Sequence, residues 1–249
     1  MRLNELEIYL NQLLNTARFH DYCPNGLQVE GRNEVRCLVS GVTASLELLE
    51  AAVAVNADVI LVHHGYFWRG EDPCLIGMKR RRIAFLVKHN MGLLSYHLPL
   101  DAHPEFGNNI QLAHRLGFVE TGRFGEQNIA MLGTLQSGAL NLKALQVTIE
   151  RTLGRKPLVI GNEAKPVQRM AWCTGAAQSY FEEAIQLGVD AFVTGEISER
   201  TVHTARESGV AFISAGHHAT ERYGVQALGE HISQKFGIAH QFIDIDSPV

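Results

Sequence analysis

The chain has 249 residues, a formal net charge of -4, 46% hydrophobic residues and 19% charged ones. That balance supplies a buried core and argues against disorder. The mild acidity lacks the basic footprint of nucleic-acid and anionic-membrane binders, so a nucleic-acid partner is not favoured. No apolar run reaches the roughly 18 residues that a membrane-spanning helix needs, so no membrane partner is expected and the chain should be cytoplasmic.

The N-terminal MRLNELEIYLNQLLN carries apolar residues at helical spacing rather than a signal-peptide core. Pro24-Asn25-Gly26 reads as a turn, with Leu27-Gln28-Val29 beyond it. Cys23, Cys37, Cys74 and Cys173 form no Cys-x-x-Cys pair and read as reduced, mostly buried thiols.

From Val35 an apolar strand closes on small residues around Gly41, a helix begins near Ser45, and the strand DVILV runs into His63-His64-Gly65. Neighbouring strand residues point to opposite faces, so both rings can serve one centre only if the chain turns. That freedom is assigned to Gly65. Tyr66, Phe67 and Trp68 follow: Phe67 reads as packing, Tyr66 and Trp68 as candidate stacking surfaces for a planar substrate ring, or as packing also. MKRRRIAFLVKHN predicts a basic helix. Its Lys79-Arg80-Arg81-Arg82 run is either a solvated face or, with Arg81 as the named candidate, a phosphate clamp at the mouth of a site.

The strand GLLSY then delivers His97, four positions before Asp101. Pro99 between them predicts a rigid turn and no helix. Asp101 is the better metal-ligand candidate. His97 is a ligand, a group that orients Asp101 or water from behind, or a proton shuttle. Periodicity weakens between Gly117 and Gly133, and the chain is divided there into a first half, 1–125, and a second, 126–249.

The second half opens with the strand NIAMLGTL, a helix LKALQVTIERTLG ending at Gly154, and the strand KPLVIG. Residues 167 to 197 then align with 35 to 65 at a constant offset of 132, placing Val167 on Val35, Ala184 on Ala52 and Asp190 on Asp58. A basic-residue helix, ERTVHTARESG, and the strand VAFISAG lead to His217, four positions before Glu221, as His97 precedes Asp101. An internal duplication is the reading: two similar α/β halves, mostly parallel sheets with packed helices, and one composite metal site expected between the halves at the carboxyl ends of strands. A helix from about Ala219 places His217 and Glu221 on one face, and Glu221 is the candidate carboxylate bridging two cations. His103, His114, His203, His218, His231 and His240 are assigned no role.

Imidazole and carboxylate together hold borderline divalent metals, so three clusters ending three strands predict a metal centre, of two ions. Mixed nitrogen and oxygen donors suit zinc, iron, manganese, cobalt or nickel.

HHGYFW, SYHLPLDAH, CPNGLQVEG and AGHHATER together resemble the Nif-three-like dinuclear-metal-centre family, labelled GTP cyclohydrolase I type 2 homologues, in its short form without an inserted domain. The resemblance spans essentially the whole chain. It implies two intertwined α/β halves, a toroidal homohexamer, and two divalent metal ions per chain held by His63, His64, Asp101, His217 and Glu221, with Glu221 shared. His97 matches a position near the metals. Gly65 departs from the proline many members carry there. The expected function is a metal-dependent hydrolase of a nucleotide-like or heterocyclic small molecule, GTP ring opening resting on the family label alone. The alternative is a non-catalytic metal-binding regulatory or scaffold protein.

Overall fold

The computed structural model describes all 249 residues. In chain order, α1 (Leu3–Leu13) precedes β1 (Gly26–Val29) and β2 (Cys37–Thr43). Next, α2 (Leu46–Ala54) leads to β3 (Val59–His64), α3 (Gly77–Lys88) to β4 (Gly92–Ser95), and α4 (Leu98–Ala102) and α5 (Asn108–Leu116) follow. After β5 (Phe118–Phe124) and β6 (Ala130–Leu135) come β7 (Leu140–Asn141), α6 (Leu142–Leu153), β8 (Leu158–Ile160), β9 (Pro166–Val167) and β10 (Arg169–Trp172). The chain finishes with α7 (Phe181–Gln186), β11 (Ala191–Thr194), α8 (Glu199–Ser208), β12 (Ala211–Ser214), α9 (His217–Phe236) and β13 (Ala239–Phe242).

Two compact units divide the chain: Met1–Gly107 with Gly224–Asp246, and Asn108–Tyr223 with Ser247–Val249. The boundary expected near residue 125 instead falls within the second unit, in the loop of the β5–β6 hairpin, where Phe124 lies opposite Ala130. The segment from Gly224 joins the first unit through its packing. Val225, Leu228 and Ile232, an apolar stripe of α9, share a core with Leu6, Leu10 and Leu38, and β13 pairs in parallel with β2.

The first unit's sheet runs β1-β4-β3-β2-β13, with β1 antiparallel to β4 and the other neighbours parallel. Alternation along β3 serves two cores: Val59 and Leu61 pack with Leu38 and Leu94, while Ile60 and Val62 pack with Val39 and Leu93. A sheet covered on both faces needs near-continuous apolar strands, as DVILV supplies. The helix expected near Ser45 is α2, whose Leu48 amide donates to the Ser45 hydroxyl at 3.2 Å.

In the second unit the order is β5-β6-β10-β11-β12-β8. Here the expectation of a mostly parallel sheet is corrected: only β10–β11 and β11–β12 are parallel. A short loop between β5 and β6 joins strands only in antiparallel fashion, and it imposes that sense on this edge. Trp172 anchors the core, wholly buried, its indole N–H donating to the Asn109 carbonyl at 3.0 Å. Truncating it to alanine is expected to cost about 3–5 kcal/mol.

The aligned segments make the same local bonds. Asp58 Oδ2 accepts from the Arg36 and Cys37 amides at 2.7 and 2.9 Å, and Asp190 Oδ2 accepts from those of Gln168 and Arg169 at 3.0 and 2.9 Å. Each carboxylate therefore ties the start of its second strand to that of its first. No helix of the chain is long and apolar enough to cross a membrane.

Candidate metal centre

The ends of β3 and β4 carry the first cluster. His63 is wholly buried, and its Nδ1 lies 3.0 Å from the Tyr96 carbonyl oxygen. A carbonyl only accepts, so Nδ1 holds the proton, and in the neutral ring Nε2 is left as the ligand atom. That Nε2 stands 3.5 Å from Asp101 Oδ1. His64 Nδ1 is 3.2 Å from the Thr43 hydroxyl, and its ring centroid is 4.5 Å from that of His63.

The rings meet although β3 extends through His64, so the expected bend is not what joins them. Nor is Gly65 left-handed; its role is space, because a Cβ there would lie 2.2 Å from Gln28 Oε1 and 2.6 Å from Ser95 Oγ. Gln28 fills the room by accepting from the Tyr66 amide at 2.6 Å and donating to the Tyr66 carbonyl at 3.1 Å.

His97 completes this cluster, with ring centroids 5.0 Å from His63 and 5.9 Å from His64. Ligand atoms of the three imidazoles lie within 4.8 Å of one another, a donor set that can hold a divalent ion. His97 Nδ1 donates to Asp21 Oδ1 at 2.7 Å, the Leu98 amide to Asp21 Oδ2 at 2.9 Å, and the His97 amide to Asn25 Oδ1 at 2.8 Å. The 24–26 turn thus does reach the cluster. Burial pushes the Asp21 carboxyl upward, but the hydrogen bond and positive charge of His97, with help from Asn25 and the Tyr22 amide, bring it below the usual range. Asp21 and Cys23 also form a group with His97, whose ligand atoms lie within 4.8 Å of one another. Burial, then the Asp21 charge, push the Cys23 thiol up to about 12.

The turn expected at Leu98-Pro99-Leu100 is instead the helix α4, in which the Asp101 amide donates to the His97 carbonyl at 3.1 Å. Proline occupies its first turn, where a missing N–H leaves no helical bond unmade. His97 and buried Asp101 are therefore one helical turn apart.

In the second unit α9 begins at His217 itself rather than at Ala219. One turn on, Glu221 Oε2 lies 3.0 Å from His217 Nε2, while Glu196 Oε1 accepts from His217 Nδ1 at 2.7 Å. Burial opposes protonation of His217, yet the bonds and charges of Glu221 and then Glu196 prevail and push it up to about 9. Gly175, left-handed at φ +69°, makes the cradle: a Cβ there would lie 2.0 Å from Glu221 Oε1. Glu196 occupies the position that aligns with His64.

Of the other candidates, Trp68 lies beside the first cluster, its ring 5.0 Å from His97 and 6.0 Å from His64. Tyr66 does not offer a stacking face: it is 6% exposed, packed in the β-sheet core, with its hydroxyl donating to the Ala44 carbonyl at 2.8 Å. Arg81 is on the exposed side of α3. Sequence reasoning missed Asp21, Glu196 and Gly175, each joined to its histidine or carboxylate across many residues of chain.

Comparison with known proteins places the chain in a family. The family model Duf34/NIF3 (NGG1p interacting factor 3) matches residues 1–248. The chain belongs to the Duf34/NIF3 family. A Pseudomonas aeruginosa relative named GTP cyclohydrolase 1 type 2 homolog is 55% identical over 241 residues, covering 96% of this chain and 95% of its own. A Yersinia pestis protein of the same name is 52% identical over the whole of both chains. Among solved Duf34/NIF3-like folds, protein ybgI, described as of unknown function, superposes at a TM-score of 0.96 with 49% identity and full coverage of both chains. A Thermus thermophilus protein does so at 0.90 with 32% identity, again over the whole of both.

Proposed function

We propose that this Duf34/NIF3 chain is a metal-dependent hydrolase of a nucleotide-like or other heterocyclic small molecule. His63, His64, Asp101, His217 and Glu221 are its ligands to two divalent ions, and Glu221 is shared by both. The observation that carries the reading is the adjacent imidazoles of His63 and His64 at the end of β3, the first with its proton already committed to a backbone carbonyl and its Nε2 beside buried Asp101. Bound divalent ions would supply Lewis acidity and lower the pKa of water toward neutrality.

The chain's own residues do the rest. Asp21 holds Nδ1 of His97, so His97 exchanges its proton at Nε2 and is the shuttle of the reaction. Trp68 stands beside His64 and His97. The relatives' name, GTP cyclohydrolase 1 type 2 homolog, supports hydrolytic opening of a purine ring as the first activity to test. Incubating metal-defined protein with GTP should release formate above a metal-stripped control. If it does not, a panel of cyclic amidines, amides and phosphoesters is next, and no turnover on any overturns the hydrolase reading.

A second reading, a metal-binding regulatory or scaffold protein without catalysis, draws support from the family description, which names an interacting factor. Recovery of a stoichiometric protein partner together with a silent substrate panel would favour it. Either reading includes a cytoplasmic homohexameric ring, which light scattering tests by counting six chains per particle.

A further inference from the structure

An aromatic and cationic surface lies beside His97 that neither metal binding nor proton transfer uses. Tyr22 follows directly on Asp21, yet its side chain faces outward and is 50% exposed. Its ring centroid is 6.5 Å from that of His97. Trp68 reaches the same imidazole edge-on at 5.0 Å. Arg69 links the two: its amide donates to the Tyr22 carbonyl at 2.7 Å, and its Nη2 donates to the Asp21 carbonyl at 3.0 Å. Its guanidinium carbon sits 5.8 Å from the Tyr22 ring centroid. These bonds tie the loop carrying Tyr22 to the segment carrying Trp68, so both rings keep their place against one histidine.

A large aromatic left half in water forfeits burial that a purely structural role would claim, and exposed aromatics paired with arginine are the surfaces that recognise flat, charged ligands. We propose that Tyr22, Trp68 and Arg69 form a recognition subsite for a planar heterocycle bearing an anionic group. The rings take the heterocycle and the guanidinium takes the anion. The proposal rests on the reading above only for its location next to His97, since binding at these three residues needs no turnover.

Trp68 supplies the readout, because the chain's other tryptophan, Trp172, is wholly buried in the second unit's core. Full-length, metal-loaded protein is titrated with guanosine and with GMP while tryptophan emission is followed. Saturable quenching by both is expected, and Trp68→Phe should abolish it. Tyr22→Ala should weaken both ligands about tenfold, whereas Arg69→Gln should weaken GMP about tenfold and leave guanosine unchanged. Elemental analysis of each variant should match wild type. Absence of saturable quenching by either ligand, or Tyr22→Ala and Arg69→Gln proteins that bind GMP as wild type does, overturns the subsite. A wild-type chain that binds guanosine but carries no metal would sink the metal reading and leave the subsite standing.

Discussion

The two histidine clusters stand on similar β-α-β scaffolds but are prepared in opposite ways. At the end of β3, His63 gives its Nδ1 proton to a backbone carbonyl and presents neutral Nε2, close to two further imidazoles. After β11 the aligned position holds Glu196 in place of His64, and His217 lies between Glu196 and Glu221, protonated up to about 9. The first cluster presents a neutral ring nitrogen; the second favours a protonated imidazole between two carboxylates. Carboxylates around one imidazole attract positive charge of either kind, and the sheet beneath them does not decide which.

The comparison can be broken at its glycines. Gly175→Ala sets a methyl against Glu221 Oε1 at a left-handed position, so a loss of about 3 kcal/mol or more is expected, with loss of metal, read by denaturant unfolding and elemental analysis. Gly65→Ala meets Gln28 Oε1 and the strand-fixed Cβ of Ser95 but carries no left-handed strain, and should cost about 1–3 kcal/mol. If Gly65→Ala proved the more damaging of the two, the cradle around Glu221 would not be the tighter one.

Asp21→Asn replaces an oxygen that accepts from His97 or Leu98 by a donor, and about 1–2 kcal/mol should be lost. Histidine NMR should then show His97 losing its single tautomer while metal content persists. A variant with an unchanged His97 spectrum would remove Asp21 from its positioning role.

The second cluster also predicts a pH dependence. His217 is raised in the folded chain, so in metal-stripped protein its stabilisation is complete below the unfolded value of about 6.5 and fades as pH rises through about 9. His217→Asn should flatten unfolding free energy across that window relative to wild type. Parallel curves for the two proteins would contradict the assignment.

Much of this was legible in the sequence because it is local or periodic. DVILV ending in His63-His64, Ser45 opening α2, Gly154 closing α6, and the Asp58 and Asp190 positions all follow from spacing and side-chain chemistry. The departures have long-range causes. Asp21 bonds to a histidine 76 positions away, which no motif spacing encodes. The division near residue 125 fails because β13 and the stripe Val225, Leu228 and Ile232 return to the first unit's core, a pairing set by apolar surface elsewhere in the chain. Pro99 suggested a turn because proline breaks helix interiors, but α4 is so short that it sits in the first turn. Tyr66 suggested a substrate face because it follows two histidines, whereas its alternation along the chain sends it into the core.

The dependence of both ions on Glu221 is the central claim of the proposed function. Elemental analysis of wild type and Glu221→Ala, purified side by side without added metal, tests it most directly. Two ions per chain in the wild type and neither in the variant is the predicted result; a Glu221→Ala protein that keeps both ions would contradict it.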